Sequence, residues 1–398
     1  MPLSSRSSVV VALGTAQTLA WASSYYLPAV LAGAIGRDVG TSASTVFGAF
    51  SVALLVAAAV GPYAGRFIDR RGGRPILVGS NLLFAAGLFA LSQCRQPFHV
   101  FLAWAVMGVA MGSGLYEAAF ATVVRLHGQE ARRAITGITL FAGFASTVGW
   151  PLSAYLESTV GWRGACMVWA ALHLVIGLPL HLLLPSVSSL KPPVTTNAHS
   201  RHTGARLSPK QQRRAAFLMA FVFATTWFIS TAMAAHLPAL LQSAGATLAV
   251  AVGIAALVGP AQVAGRLIEF TFLKNAHPLL SARLATLAHP LGVLCLAWVG
   301  TSAATAFAVL HGLGNGILTI AIGTLPLLIF GAEGYGRRQG LLMVPARIVQ
   351  AGAPFLFGLA AARWGAGSLW FSAALGVAAC MALAVMTSDM KQGTADAP

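Results

Sequence analysis

"GRFIDRRGGR", residues 65–74, holds four basic residues, one acid and three glycines, and lies between two long apolar runs. Only 9% of the chain is charged, so half of a decapeptide being charged demands a reason. A soluble domain is about 25% charged and about 45–50% apolar. This chain of 398 residues is 57% hydrophobic, with a mean hydropathy of +0.77. A soluble fold could not shield so much apolar surface with so few charges. The runs that flank 65–74 are near 20 residues, the length that spans about 30 Å of hydrocarbon as helix. Charge then has to collect in the short connectors between spans, and 65–74 is one of them.

Twelve such runs can be drawn, at about 9–31, 44–64, 76–94, 99–125, 135–157, 164–184, 215–241, 247–268, 281–300, 304–330, 340–362 and 368–386. No small-residue cleavage site follows the first, so it reads as a retained helix. The fold class is all-α integral membrane. With the N-terminus inside, twenty basic residues face the cytoplasm, from Arg6 and the 65–74 arginines to Arg337, Arg338 and Lys391. Only Arg37, Arg95, Arg163 and Arg363 face out, and Arg347 lies within a span. That bias sets the orientation and puts both termini inside. It also accounts for the formal charge of +16 as attraction to anionic lipid, not as a nucleic-acid footprint. The cysteines Cys94, Cys166, Cys295 and Cys380 form no paired or metal-ligand spacing, and read as small packing residues.

The longest polar stretch, about 186–214, contains "KPPVTTNAHSRHTGARLSPKQQRR". Rich in Pro, Ser, Thr and basic residues, it has linker composition. The expected organisation is a six-helix bundle at 1–185, a cytoplasmic central loop at 186–214, a second six-helix bundle at 215–388 and a short tail at 389–398. The halves echo each other at a shift of about 200. "YLPAVL" at 26–31 answers "HLPALL" at 236–241, and "GRFID" at 65–69 answers "GRLIE" at 265–269, each after a Gly-Pro. "GSG" at 112–114 answers "GNG" at 314–316, and "GWP" at 149–151 answers "GAP" at 352–354. Five matches in one order mark a repeat, and an even number of spans per copy makes it a parallel one.

Six plus six spans, a basic central loop and the Gly65, Asp69, Arg70, Gly72, Arg74 pattern after span 2 resemble the major facilitator superfamily. Phe67 stands where that family has leucine, and Gly73 where it has a basic residue. The resemblance implies two pseudo-symmetric six-helix bundles that work by alternating access on a small solute. It implies a monomer with no cofactor. It also implies that Asp69 faces the positive amino end of span 11, near residue 340, as a cytoplasmic latch; Arg125 at the end of span 4 is a second candidate partner. Gly143, Gly149 and Pro151 are similar to a glycine-proline motif of the family's antiporters, but Trp150 interrupts the usual dipeptide. The expected activity is proton-coupled export, with proton-coupled uptake of a small organic anion the alternative and a non-transporting membrane sensor of the same fold a remote one. Alanine- and arginine-rich composition with short loops suits a bacterial inner membrane.

Ionisable groups within spans are costly and mark function. Glu117 in span 4 and Arg347 in span 11 lie about eight and seven residues from the cytoplasmic ends, so both sit roughly 10–12 Å deep. Glu117 is a carboxylate that takes up a proton, or the partner of Arg347 in an ion pair. Arg347 could equally clamp an anionic solute with its planar fork. His311 in span 10 is the most buried histidine by this reading, and a histidine can switch near neutral pH, which makes it a candidate for coupling. His173, His181, His236 and His289 read as structural. Gln17, Trp21 and Ser24 follow one helix face of span 1, with Tyr25 beside it. The family's first, fourth, seventh and tenth helices line its cavity, which adds Thr226, Trp227, Ser230 and Asn315 as candidates. Polar groups that merely join helices are the competing explanation. No phosphate loop, HExxH, paired-cysteine site or serine elbow is present, so neither ATP use, a bound metal nor enzymatic chemistry is expected.

Overall fold

The computed structural model describes residues 5–186, 208–243, 245–273 and 276–395. Among the described residues the regular structure is helical, with no strand. Hydrocarbon offers the backbone no partners, so each spanning segment must satisfy its own N–H and C=O groups.

All twelve apolar runs fall on helix. The N-terminal run forms α1 (Arg6–Ser23) and α2 (Leu27–Asp38), followed by α3 (Ala43–Arg71) and α4 (Gly73–Ser92). Then come α5 (Pro97–Gly114), α6 (Tyr116–His127), α7 (Arg132–Ala142), α8 (Ala145–Leu172) and the short α9 (Leu178–Leu182). Next are α10 (Pro209–Ser243), α11 (Leu248–Ala256), α12 (Val258–Thr271) and α13 (Pro278–Val299). The series ends with α14 (Ala304–Phe330), α15 (Tyr335–Trp364) and α16 (Ser368–Ala395). The helical stretch Pro97–Leu182 has 86 residues, several times what a bilayer core needs at about 1.5 Å per residue. Gly128 (φ 57) turns it between α6 and α7, and Gly161 (φ 71) turns it inside α8. That φ is accessible to glycine without penalty, and Gly161 divides the runs expected at 135–157 and 164–184.

The described chain splits into two compact units. The N-terminal unit takes the residues up to 186 and also Gly331–Val344; the C-terminal unit takes 208 to Phe330 and the residues from Pro345. The expected 215–388 bundle therefore gives up the first turns of α15. Two further boundaries move: α10 begins at Pro209, inside the expected loop, and α16 runs through the expected tail to Ala395. Most of the 186–214 segment lies outside the described residues.

Within each unit small residues bring helices close. A Cβ on Gly108 or Gly112 of α5 would come within 2.6 and 2.8 Å of the Ala53 and Ala57 carbonyls of α3. In the C-terminal unit Gly312 and Gly316 of α14 lie against Val258 and Gln262 of α12. Such stripes replace the hydrophobic drive that lipid removes. Phe228, Leu237, Phe307 and Phe357 fill the core of the C-terminal unit. Phe217, Phe272 and Trp298 are instead mostly exposed, as lipid-facing residues should be.

The copies differ at spans 1 and 4 and their counterparts. Spans 1 and 4 are each broken, at Ser24–Tyr26 and at Leu115, where φ −81 and ψ −164 are extended. Their counterparts α10 and α14 run unbroken through Pro238 and through Gly314–Gly316.

Candidate functional site

The charged stretch that opens the sequence ends α3 and turns at Gly72 (φ 83) into α4. Gly73 sits where a Cβ would collide with the Thr122 side chain, which leaves no room for the basic residue usual in the family. On the other side α3 meets the start of α15 backbone to backbone. A Cβ on Gly336 would lie 2.5 Å from the Gly65 carbonyl oxygen, and one on Gly340 would lie 2.7 Å from that of Gly61. This closeness lets Asp69 reach the helix start. Its Oδ1 accepts from the Gly336 N–H and its Oδ2 from the Arg337 N–H, both at 2.8 Å. First-turn amides have no partner within their own helix, and the positive helix end favours an anion. Arg125 is exposed and is not paired with Asp69, whose two oxygens are both engaged. Arg70 is exposed as well, Arg74 is half-buried, and Arg71 lies 5.4 Å over the Phe67 ring.

The break in span 4 builds a second feature of the N-terminal unit. The Ala118 N–H bonds to Leu115 rather than to Gly114, so the Gly114 carbonyl loses its helical donor. Gln17 of α1 replaces it, its Nε2 donating to Gly114 at 2.6 Å. Gln17 is fully buried, and among the described residues its Oε1 has no hydrogen-bond partner. Two residues beyond the break, Glu117 falls in the first turn of α6, where the helix dipole favours a carboxylate. It is half-buried and acts electrostatically on Tyr335, the buried first residue of α15.

Aromatic rings surround this break. Trp21 lies 4.8 Å from Tyr116 and 5.2 Å from Tyr25, centroid to centroid. Tyr25 in turn stands edge-on to Phe50 at 5.5 Å. Ser24 does not join them: it is fully buried and donates to the Ala20 carbonyl of its own helix. A hydroxyl at the frayed end of α1 is satisfied most simply by the preceding turn. The break in span 1 is held from α8, where Trp150 Nε1 donates to the Tyr26 carbonyl at 3.2 Å. Gly149 beside it packs on Ala22, which a Cβ would approach to 2.7 Å. Pro151 lies inside α8, and Gly143 caps α7. The residue that interrupts the Gly-Pro dipeptide thus anchors the broken first span.

In the C-terminal unit Arg347 is buried, lies 5.2 Å over the Trp227 ring and donates from Nη1 to Gln350 Oε1 at 3.0 Å. Asn315 Nδ2 donates to Ser230 Oγ at 3.0 Å. Thr226, His311 and Asn315 share the lining of one cavity of about 30 Å³ with Thr225, Thr286 and His289. That volume suits water rather than an organic solute, since one water needs about 10–15 Å³ of this measure. His311 Nδ1 is 3.1 Å from His289 Nδ1.

Sequence reasoning missed Tyr116, Phe50, Gln350 and Ser372, and read His289 as structural without its partner His311. Tyr116 carried a usable signal, because it neighbours Glu117 in a span chosen for its acid. The others are placed only by helix register.

With the site laid out, comparison with known proteins adds the family. The model of the Major Facilitator Superfamily matches residues 13–344. The chain belongs to that superfamily. Mouse monocarboxylate transporter 11 is 31% identical over 152 residues, 36% of this chain and 33% of the relative. A chloramphenicol resistance protein of Pseudomonas aeruginosa is 30% identical over 140 residues, 35% of this chain and 33% of the relative. The chain thus aligns with about a third of the length of these curated relatives. The crystal structure of the human organic anion transporter MFSD10 superposes with a TM-score of 0.72, covering 96% of this chain and 100% of that one. At 14% identity that likeness speaks for the fold alone. The members of that superfamily are membrane transporters of small molecules.

Proposed function

We propose that this superfamily member exports a small amphipathic organic solute in exchange for protons, with Glu117 as the coupling carboxylate. The observation that carries the reading is the break at Leu115. It sets Glu117 at a helix amino end, next to Tyr116 of the ring cluster and within electrostatic reach of Tyr335. A carboxylate that takes up a proton there loses its negative charge beside Tyr335. A transporter needs two states of nearly equal energy, so one such event can shift their populations. Tyr335 neighbours the amides that Asp69 holds. In this reading the Asp69 contact is the latch that protonation of Glu117 loosens.

The solute class follows from the surfaces each unit carries. Trp21, Tyr25 and Tyr116 offer aromatic faces with the open acceptor of Gln17, and Arg347 on Trp227 offers a cation. A chloramphenicol resistance relative in Pseudomonas supports export, and the bias of basic residues supports an orientation with both termini cytoplasmic. A second reading, uptake of a small organic anion, draws on Arg347 and on the monocarboxylate relative.

Growth separates the two. The chain would be expressed in a bacterial host stripped of its own pumps and challenged with dyes, antibiotics and organic acids. Protection from one class, lost in Glu117→Gln, is expected. Sensitisation by the wild-type chain would instead establish uptake.

A further inference from the structure

The histidine pair of the C-terminal unit has no part in that account, yet its hydrogen bonds define a protonation state. Ser372 of α16 has a single hydroxyl proton, and it donates to the Leu369 carbonyl at 2.8 Å. The contact of 2.9 Å between Ser372 Oγ and His289 Nε2 must therefore run the other way, with His289 Nε2–H donating. A neutral imidazole carries one N–H, so His289 Nδ1 is a bare acceptor. The 3.1 Å contact with His311 Nδ1 then requires His311 to donate from Nδ1. That leaves His311 Nε2 as a bare lone pair. Among the described residues this nitrogen makes no hydrogen bond, and its ring lines the 30 Å³ cavity with Thr225, Thr226, Thr286 and Asn315.

We infer that His311 Nε2 is a proton-binding site fed through a hydrated cavity, with His289 and Ser372 as positioning residues that fix its tautomer. When a proton binds, His311 becomes an imidazolium. Its Nδ1–H bond to His289 becomes charge-assisted, a class of bond about twice as strong as its neutral counterpart. Its new Nε2–H points into the cavity, at water or at the threonine and asparagine oxygens.

The surrounding charges do not supply a rival acceptor. The ionisable group that acts on His289 is His311, and no other charged group acts on His311. On α12, Val258 and Ala261 meet Gly312, so Arg266 and Glu269 lie about 7 and 12 Å further along that helix. On α13 Arg283 bonds the Leu383 and Ala384 carbonyls of α16, more than a turn from His289. On α16 the nearest titratable group in sequence is Cys380, beside Ala379 of the lining. The start of α10 carries Lys210, Arg213 and Arg214, which precede Thr225 by three turns or more. The proton would thus charge a site with no counter-ion of its own. Any part this plays in transport rests on the proton-coupled reading above; the binding chemistry does not.

The test is ¹⁵N nuclear magnetic resonance of histidine-labelled full-length protein in detergent, titrated without solute or gradient, with His311→Gln to assign the signal. At high pH His311 should be neutral with its proton on Nδ1, and on acidification it should gain the Nε2 proton while the protein stays folded. Ser372→Ala frees His289 to change tautomer, and should lower the preference of His311 for Nδ1–H at least tenfold. His289→Phe removes the acceptor and should do the same. A neutral His311 protonated on Nε2, or one that never gains a second proton in the folded protein, overturns the proposal. If the titration behaves as stated while transport ignores pH, the site stands and the proton-coupled reading falls.

Discussion

Asp69→Asn probes the contact between the charged loop and α15. The wild-type carboxylate accepts from two amides at 2.8 Å each. Asparagine offers one accepting oxygen and an NH₂ that cannot accept, so one bond is lost and the other becomes neutral. A hydrogen bond to a charged group contributes about 1.5–3 kcal/mol and a neutral one about 1. The helix-end term adds about 0.3–1 kcal/mol. Allowing for partial exposure of the site, the local loss is about 2 kcal/mol, or roughly 30-fold in an opening equilibrium at about 1.4 kcal/mol per decade. Amide hydrogen exchange reads this directly, because Gly336 and Arg337 stand in the first turn and their protection comes from Asp69. Exchange of a peptide over 333–340 should rise by about that factor, while Arg70→Gln, a change at an exposed neighbouring charge, should leave it within about twofold. Equal exchange in Asp69→Asn and wild type would refute the reasoning.

Three other substitutions have defined outcomes. Gly65→Ala drives a methyl into the Gly336 backbone and should cost about 1–3 kcal/mol by overpacking; a lowered melting temperature in detergent checks it. Gln17→Leu leaves the Gly114 carbonyl buried without its donor, at about 1–3 kcal/mol. The same melting assay should show a loss, and Thr18→Val, on the half-buried face of α1, should show less. Arg347→Lys keeps the charge but loses the planar fork on Trp227 and Gln350, and should raise KM for an organic anion about tenfold with little change for a neutral solute.

The division into hydrophobic spans could be read because a bilayer permits little else, and the 65–74 stretch could be read because its glycines and acid are tied to one local turn. The Asp69 contact came from the family resemblance, and nothing within residues 65–74 points 267 positions ahead to Gly336. Both helix breaks escaped notice. Hydropathy runs straight through Leu115, and the prolines and glycines near the breaks have counterparts in α10 and α14 that leave those helices continuous. Ser24 was placed on a polar face although its hydroxyl is spent on Ala20. Arg125 was a second candidate partner from its place at the cytoplasmic end of span 4, but backbone amides already satisfy the acid. The pairing of His289 with His311 depends on the register of α13 against α14, and a sequence spacing of 22 residues holds no sign of it.

The central claim is proton coupling through Glu117, and it is tested most directly by flux in vesicles. Purified chain and Glu117→Gln would be reconstituted and loaded with a solute identified by the growth panel. An imposed pH gradient would drive movement, and exchange of labelled for unlabelled solute without a gradient would show that each protein is folded and inserted. The account predicts that the gradient drives solute against the proton flow in wild type, and that Glu117→Gln loses this response while keeping the exchange. An undiminished gradient response in Glu117→Gln would contradict it.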